Sequence, residues 1–213
     1  MAMQDKQAFI EDLAGSHRRR RPLLPAPLRA LLWFVLAFAV SAGLMHHVQV
    51  FRPGFAGQLV HHPFFLLEVL GALLLAAAGA YLAMARAVPG EPISGKILAA
   101  FWLLAAVFLL GFGAGFTHFA PETSPVGARH ACWLEVLVYG GVCLLAFTIL
   151  IRRGFVRFSW KTGMLYGLMA GLVPAALMQL ACMYDPMHAL IFHYLPAVIL
   201  IPVGLAVMRL IQK

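Results

Sequence analysis

Six long apolar stretches, separated by short polar segments, fill most of this 213-residue chain. They cover residues 29–48, 63–85, 97–117, 132–151, 162–183 and 189–208. The hydrocarbon core of a bilayer is about 30 Å thick and needs roughly 20 apolar residues of helix to cross it, which each stretch supplies within the usual tolerance. The pattern therefore predicts an all-α protein, a bundle of six transmembrane helices.

The basic residues lie almost entirely on one side of these stretches. If the amino terminus is cytoplasmic, only Arg52 and Arg129 among the 16 lysines and arginines fall on the outer side. Loops that stay in the cytoplasm are enriched in lysine and arginine, so both termini are expected in the cytoplasm. We expect a multi-pass membrane protein, surrounded by the lipid bilayer. No cleavage site follows the first stretch, which is therefore expected to remain as an anchor.

The composition excludes several classes of protein. The chain is 62% hydrophobic and 11% charged, with a mean hydropathy of +0.88, which excludes an ordinary soluble domain. Its net charge of +8 is already explained by short cytoplasmic loops and a tail, so direct nucleic-acid binding is not expected. The longest loops, about 49–62 and 118–131, are too short for a soluble catalytic domain, and we do not expect an enzyme.

The chain divides into a cytoplasmic tail, residues 1–28, and a membrane domain, residues 29–213. Residues 4–14 of the tail are predicted to form a short amphipathic helix with Phe9, Ile10 and Leu13 on one face. A basic run and three prolines that favour extended chain follow it: Arg18, Arg19, Arg20, Arg21, Pro22, Pro25 and Pro27. Since so short a helix is marginal alone in water, we expect it to order against a partner or the membrane surface.

A ridge of small residues is predicted on the fifth membrane helix. Gly163, Gly167 and Gly171 repeat at four-residue spacing. Such a ridge allows helix backbones to approach closely in lipid, and its expected role is packing.

Residues that bind metals or undergo redox chemistry collect at the predicted outer surface. Cys132 begins the fourth helix, Cys182 ends the fifth, and Asp185 lies in the turn after it. Eight of the nine histidines lie on this side: His46, His47, His61, His62, His118, His130, His188 and His193.

Two carboxylates, Glu68 and Glu135, lie only a turn or so below the same surface. An intramembrane carboxylate costs several kcal/mol (roughly 2.5 or more) unless it is paired, protonated or hydrated, which indicates a function. Glu135 shares a helix face with Cys132, and Gln179 shares one with Cys182. Both faces are candidates for the lining of one outer pocket.

Two kinds of chemistry suit this set, and the residues alone leave both open. Cys132 and Cys182 would form a disulfide if their Cα atoms approach within about 7 Å. Alternatively, both thiolates would bind a soft or borderline metal ion with His130, His188 or Asp185. The preferred ligands are Cys132, Cys182 and His188, and the ion would be regulatory, since no obligatory cofactor is indicated. No Cys-x-x-Cys or His-x-x-x-His motif is present.

Several segments together carry a family resemblance. Cys182-Met183-Tyr184-Asp185-Pro186-Met187-His188 forms a Cys-x-x-Asp-Pro-x-His pattern, and Cys132 stands where a second outer cysteine is found. Phe9-Ile10-Glu11-Asp12-Leu13-Ala14 precedes a basic, proline-rich stretch, and Arg152-Arg153-Gly154 precedes the glycine ridge. Over almost its whole length the chain resembles the NrsF-type anti-sigma factors, six-helix inner-membrane proteins that hold an extracytoplasmic-function sigma factor inactive.

The resemblance implies a function for both sides of the membrane. In the cytoplasm a sigma factor would be bound by Phe9, Ile10, Leu13, Arg18, Arg19, Arg20 and Arg21. On the outer side a soft metal or an oxidant would be sensed by Cys132, Cys182, Asp185, His188, His130, Glu135 and Glu68. Sensing would change the packing of helices four, five and six and release the sigma factor.

Two alternative functions remain. The outer thiols and carboxylates are compatible with a membrane thiol–quinone oxidoreductase, although such enzymes use closely spaced cysteine pairs, and none is present. Glu68, Glu135 and the outer histidines are compatible with a small metal or proton transporter. A transporter needs polar groups through the full depth of the membrane, and the inner halves of these helices carry few.

Overall fold

The computed structural model describes residues 24–87, 93–117, 121–151 and 159–211. These residues form seven helices and no strand, and a lone bridge joins Ser124 to Tyr184. The helices are α1 (Ala26–Val48), α2 (Phe55–His61), α3 (Pro63–Arg86), α4 (Gly95–Ala114), α5 (Cys132–Ile151), α6 (Trp160–Ala181) and α7 (Pro186–Ile211). The last of them contains a π-helical turn, Leu190–Tyr194.

The six predicted spans are confirmed. All helices except α2 are long and apolar enough to cross a membrane. Helix α1 begins at Ala26, earlier than the predicted start at residue 29, because Pro27 is tolerated in a first turn, where a backbone N–H has no helical partner. Hydropathy did not indicate α2, which occupies part of the expected loop 49–62. The tail residues Phe9, Ile10, Leu13 and Arg18–Arg21 lie outside the described residues.

The spans alternate in direction, so the bundle has two chemically different ends. One end, here called the thiol end, holds Cys132 and Cys182, where α5 begins and α6 ends. The opposite end, here called the basic end, holds Arg86 and Lys161, where α3 ends and α6 begins. The predicted separation of thiols from most of the positive charge is therefore present in the fold.

Helix α6 lies at the centre of the bundle and α4 at its edge. In an 18-residue stretch of α6, 78% of the residues are buried, compared with 6% in a stretch of the same length in α4. The glycine ridge of α6 packs closely against α7, as predicted. A Cβ atom added to Gly167 would lie 2.2 Å from the carbonyl oxygen of Leu200, and one added to Gly171 would lie 2.6 Å from Cα of Ala197. Movements of α6 and α7 are therefore tightly coupled.

Candidate functional site

Two thiols and two imidazoles meet at the thiol end. Cys132 comes from the start of α5, Cys182 follows α6, and His188 and His193 lie in the first turns of α7. One ligand atom from each lies within 4.8 Å of all the others. Nε2 of His188 is 3.3 Å from Sγ of Cys132 and 3.5 Å from Sγ of Cys182. These four residues are called the thiol cluster below.

The π-helical turn explains how His188 and His193 reach the same cluster. Residues five apart on a regular α-helix, with 3.6 residues per turn, point in directions about 140° apart. Between these histidines α7 widens to a π turn, in which the backbone N–H of Leu195 bonds to the carbonyl oxygen of Leu190. The wider turn brings residues five apart closer to alignment, and the two imidazole centroids are 5.2 Å apart.

Three of the four donors of the thiol cluster are buried, His188 is partly exposed, and the cluster is incompletely hydrogen-bonded. Cys132, Cys182 and His193 are each at most 1% exposed. Both ring nitrogens of His193 lack a hydrogen-bond partner among the described residues. A buried polar group without a partner costs roughly 1–3 kcal/mol, so a nitrogen kept in that state calls for an explanation, such as a ligand.

The donor set suits a soft or borderline metal ion. Two cysteine sulfurs and two histidine nitrogens are the ligands of many tetrahedral zinc sites. With metal–ligand bonds of about 2.0–2.3 Å, tetrahedral ligands lie about 3.3–3.8 Å apart. The cluster, spread over at most 4.8 Å, needs only a small contraction to reach that geometry. Both cysteines are free thiols, and their sulfur atoms lie within 4.8 Å of each other. A local adjustment would therefore bring the two sulfurs close enough to react with each other.

The neighbouring thiol lowers the pKa of one cysteine of the cluster. The Cys132 thiol, whose sulfur lies within 4.8 Å of Sγ of Cys182, is the principal cause that lowers the pKa of Cys182, outweighing the opposite effect of burial. A thiolate is the form of cysteine that binds metals and reacts with oxidants. We therefore expect Cys182 to be the thiolate of the pair.

Arg129 fixes the helix ends around the cluster. Its Nη1 forms a 2.6 Å ion pair with Oε2 of Glu135, and its Nε donates to the carbonyl oxygen of Ala181 at 3.3 Å. Its Nη2 donates to the carbonyl oxygens of Met45, at 3.0 Å, and Gln49. Because the last carbonyls of a helix have no helical partner, one guanidinium stabilises the ends of α1 and α6 and the start of α5.

Arg52 holds the same end of α6 from the other side. Its backbone N–H donates to the carbonyl oxygen of Leu180 at 3.2 Å, and its Nη2 donates to that of Gln179 at 3.3 Å. The guanidinium carbon lies 5.9 Å from the ring centroids of both Phe65 and Tyr184. The last turn of α6, immediately before Cys182, is thus stabilised by two buried arginines.

Glu68 forms a second polar layer beside the cluster. It is 2% exposed, and its Oε1 accepts hydrogen bonds from Nε2 of Gln179 at 2.8 Å and from the hydroxyl of Tyr194 at 3.1 Å. Tyr194 follows His193 in the chain, and Gln179 lies one turn before Cys182. Glu68 is therefore linked to the cluster through the backbones of α6 and α7 and does not contribute a ligand to it.

The chain also matches a protein family. Residues 13–212 match the family model described as NrsF, negative regulator of sigma F. The chain belongs to this family. Searches of curated proteins and of solved structures found no match. The resemblance seen in the sequence is confirmed, and NrsF membership implies a sigma factor as the regulated partner.

The structure separates the predicted sensing residues of this NrsF-family chain into three groups. Cys132, Cys182 and His188 lie together, and His193 joins them as a fourth donor. Asp185 accepts a 2.6 Å hydrogen bond from the His188 backbone N–H, and so caps α7 and orients that histidine. Glu135 is paired with Arg129, and His130 is exposed, so neither belongs to the cluster.

Sequence reasoning missed three residues of the site. His193 was counted among the outer histidines, but its alignment with His188 depends on a π turn that hydropathy does not reveal. Arg52 and Arg129 carried a clear signal, because they were the only basic residues on the predicted outer side. No role was predicted for them, and in the structure both are buried and donate to carbonyl oxygens at the end of α6.

Proposed function

We propose that this protein is an integral inner-membrane anti-sigma factor that holds an extracytoplasmic-function sigma factor at the cytoplasmic face. The thiol cluster would lie toward the outer compartment and sense a soft metal ion or an oxidant. The observation that carries this proposal is the convergence of Cys132, Cys182, His188 and His193 within 4.8 Å in a family of sigma-factor regulators.

The orientation follows from the charge distribution. The basic end would face the cytoplasm, where Arg86, Lys96, Lys161 and Arg209 would lie together with the tail. Phe9, Ile10 and Leu13, followed by Arg18–Arg21, would then lie on the side where a sigma factor is found. The thiol cluster would then occupy the opposite side, where an envelope signal arrives first.

Two chemical events would change the cluster. A soft metal ion would bind the two thiolates and two imidazoles and displace the thiol protons. Alternatively, a two-electron oxidant such as a peroxide would take two electrons from the thiols, which would lose two protons and form one disulfide. The four-donor set favours the metal, since a disulfide gives the histidines no role.

The signal would cross the membrane through α6 and α7. The cluster joins α5, α6 and α7 at the thiol end, and contraction around a metal would pull these helix ends together. Closely packed helices have little free space between them, so a displacement of one helix displaces its neighbour. The close contact of Gly167 in α6 with Leu200 in α7 would transmit the shift to the basic end. There it would alter the surface next to the tail.

The energies are sufficient for such a switch. Converting a partner from about 99% held to about 99% released requires a difference of about 5.5 kcal/mol in ligand affinity between the two states. Structural zinc sites in small peptides supply about 10–16 kcal/mol near neutral pH. A metal that binds only to the releasing state would therefore supply more free energy than the switch requires.

Substitutions on the apolar face of the tail test whether it binds the sigma factor. Replacing Phe9, Ile10 and Leu13 with aspartate should leave the sigma-dependent genes permanently transcribed while the protein stays in the membrane. Replacing Gln7 and Glu11, on the other face of the predicted helix, with alanine is the matched control and should leave repression intact. Unchanged transcript levels in the aspartate variant at normal membrane abundance would contradict the proposal.

A further inference from the structure

An apolar groove opens between α3, α4 and α6 at the basic end. Its volume is about 510 Å³. Along α3 it extends from Leu75 to Arg86, a distance of about 16 Å at 1.5 Å per residue. Half of a hydrocarbon core of about 30 Å is about 15 Å, so the groove is as deep as one leaflet of a bilayer.

The groove exists because α4 contacts the bundle unevenly. Near the thiol end, the rings of Phe108 and Phe112 on α4 pack against Tyr194 of α7, with centroids 5.3 and 5.2 Å apart. Toward the basic end, Leu98 and Ala105 of α4 line the open groove and do not close it. The groove therefore faces the lipid laterally and is lined mainly by apolar side chains.

The polar part of the groove lies at one end only. Arg86, from the last turn of α3, and Lys161, from the first turn of α6, both line it. Trp160 lies beside them, 58% exposed, with its ring centroid 5.5 Å from Nζ of Lys161. Tryptophan is typical of the level of lipid headgroups, and a basic pocket between membrane helices suits an anionic headgroup.

We propose that this groove is a binding site for an anionic phospholipid, independent of the sensing function. One acyl chain would lie along α3 between α4 and α6, and the phosphate-containing headgroup would lie between Arg86 and Lys161. Two observations favour this occupant. The cations Arg86 and Lys161 complement a negatively charged headgroup, and the depth of the groove matches one leaflet of the bilayer. A zwitterionic lipid would fit the apolar part equally well but would gain less from the two cations.

The test compares lipids that differ only in headgroup. The full-length protein, purified in detergent, would be melted with added dioleoyl phosphatidylglycerol or dioleoyl phosphatidylcholine, and lipid retention would be counted by native mass spectrometry. Phosphatidylglycerol should raise the melting temperature more and be retained preferentially. The double variant Arg86→Gln/Lys161→Gln should lose roughly ten- to thirty-fold of that preference, because each cation near an anionic membrane surface contributes roughly five-fold to the binding affinity. Arg209→Gln, an exposed cation on α7 outside the groove, should keep it.

A second pair of variants tests the apolar part without changing charge. Ala105→Trp should fill the groove and abolish the preference, whereas Ala106→Trp, at an exposed position of α4 outside the lining, should preserve it. Equal stabilisation by the two lipids in the wild type, or a preference that survives Arg86→Gln/Lys161→Gln, would overturn the proposal. So would stabilisation by glycerol phosphate alone, or a melting temperature that depends on protein concentration and not on lipid, which would indicate a second copy of the chain.

Discussion

Cys132 and His188 meet across α5 and α7, with Sγ and Nε2 3.3 Å apart. The same imidazole nitrogen lies 3.5 Å from Sγ of Cys182, so one histidine joins the ends of three membrane helices. Cys182, His188 and His193 lie within 12 residues of one another, whereas Cys132 is 50 residues before Cys182. The cluster is therefore created by the tertiary fold, and its chemistry depends on how α5, α6 and α7 are packed.

Removing a donor from the thiol cluster should weaken metal binding. Cys182→Ser and His193→Gln should each reduce Zn²⁺ or Cd²⁺ affinity by roughly 100-fold or more, because a four-ligand site divides its large binding free energy among few donors. Competition titration of purified protein with a chromogenic chelator measures this. Cys143→Ser is the matched control, since this thiol lies beside Ser41 and Ala37 in mid-helix and should leave the affinity unchanged. Normal affinity in His193→Gln would remove that residue from the site.

The reactivity of Cys182 should extend to unusually low pH. Its pKa is lowered chiefly by the neighbouring Cys132 thiol, so the thiolate persists below the ordinary thiol pKa of about 8.5 and is lost only as pH falls through the lowered value. In Cys132→Ser the hydroxyl is a shorter and differently placed donor, and in Cys132→Ala no donor remains. The pH profile of Cys182 alkylation, followed by mass spectrometry in a Cys143→Ser background, should shift upward most in Cys132→Ala. An unshifted profile would contradict this origin of the lowered pKa.

Arg129 should be essential for stability at the thiol end. Arg129→Gln leaves Glu135 without its ion pair and removes hydrogen bonds to the carbonyl oxygens of Ala181, Met45 and Gln49. Breaking a buried pair by removing one partner typically costs about 3–5 kcal/mol. Thermal or denaturant unfolding in detergent should show a loss of this size, whereas Lys96→Gln, at an exposed position in the first turn of α4, should stay within about 0.5 kcal/mol of wild type. Equal stability of the two variants would show that the ion pair is not needed.

The close packing of α6 on α7 predicts a sharp contrast between two glycines. A Cβ at Gly167 would lie 2.2 Å from the Leu200 carbonyl oxygen, whereas one at Gly141, in α5, meets nothing within 4 Å. Gly167→Ala should therefore destabilise the protein by about 1–3 kcal/mol or more, and Gly141→Ala should be neutral or stabilising by up to about 1 kcal/mol. The same unfolding measurement distinguishes them, and a harmless Gly167→Ala would refute the close contact.

Much of the fold could be predicted because lipid imposes a simple length rule on apolar sequence. All six spans were predicted from hydropathy, and the ridge Gly163–Gly167–Gly171 was correctly assigned to helix packing. Helix α2 was not foreseen, because its seven residues are too few to show periodicity, and the start of α1 was misplaced because Pro27 fits a first turn.

The site could be predicted only in part, because sequence spacing does not report tertiary contacts. Cys132, Cys182 and His188 were selected by residue type and by their place near one surface, and the fold brings them together. Glu135 shares a helix face with Cys132, yet Arg129 pairs with it and keeps it out of the cluster. His193 reaches the cluster only because of the π turn, a backbone irregularity that no residue pattern in this chain predicts.

The most direct test of the central claim uses a complex of this protein with its sigma factor in sealed membrane vesicles, with Zn²⁺ or Cd²⁺ added only on the side of Cys182. The proposal predicts that the metal releases the sigma factor from the opposite face of wild-type vesicles and leaves it bound in the double variant Cys182→Ser/His193→Gln. Equal release from both proteins, or retention by the wild type at saturating metal, would contradict it.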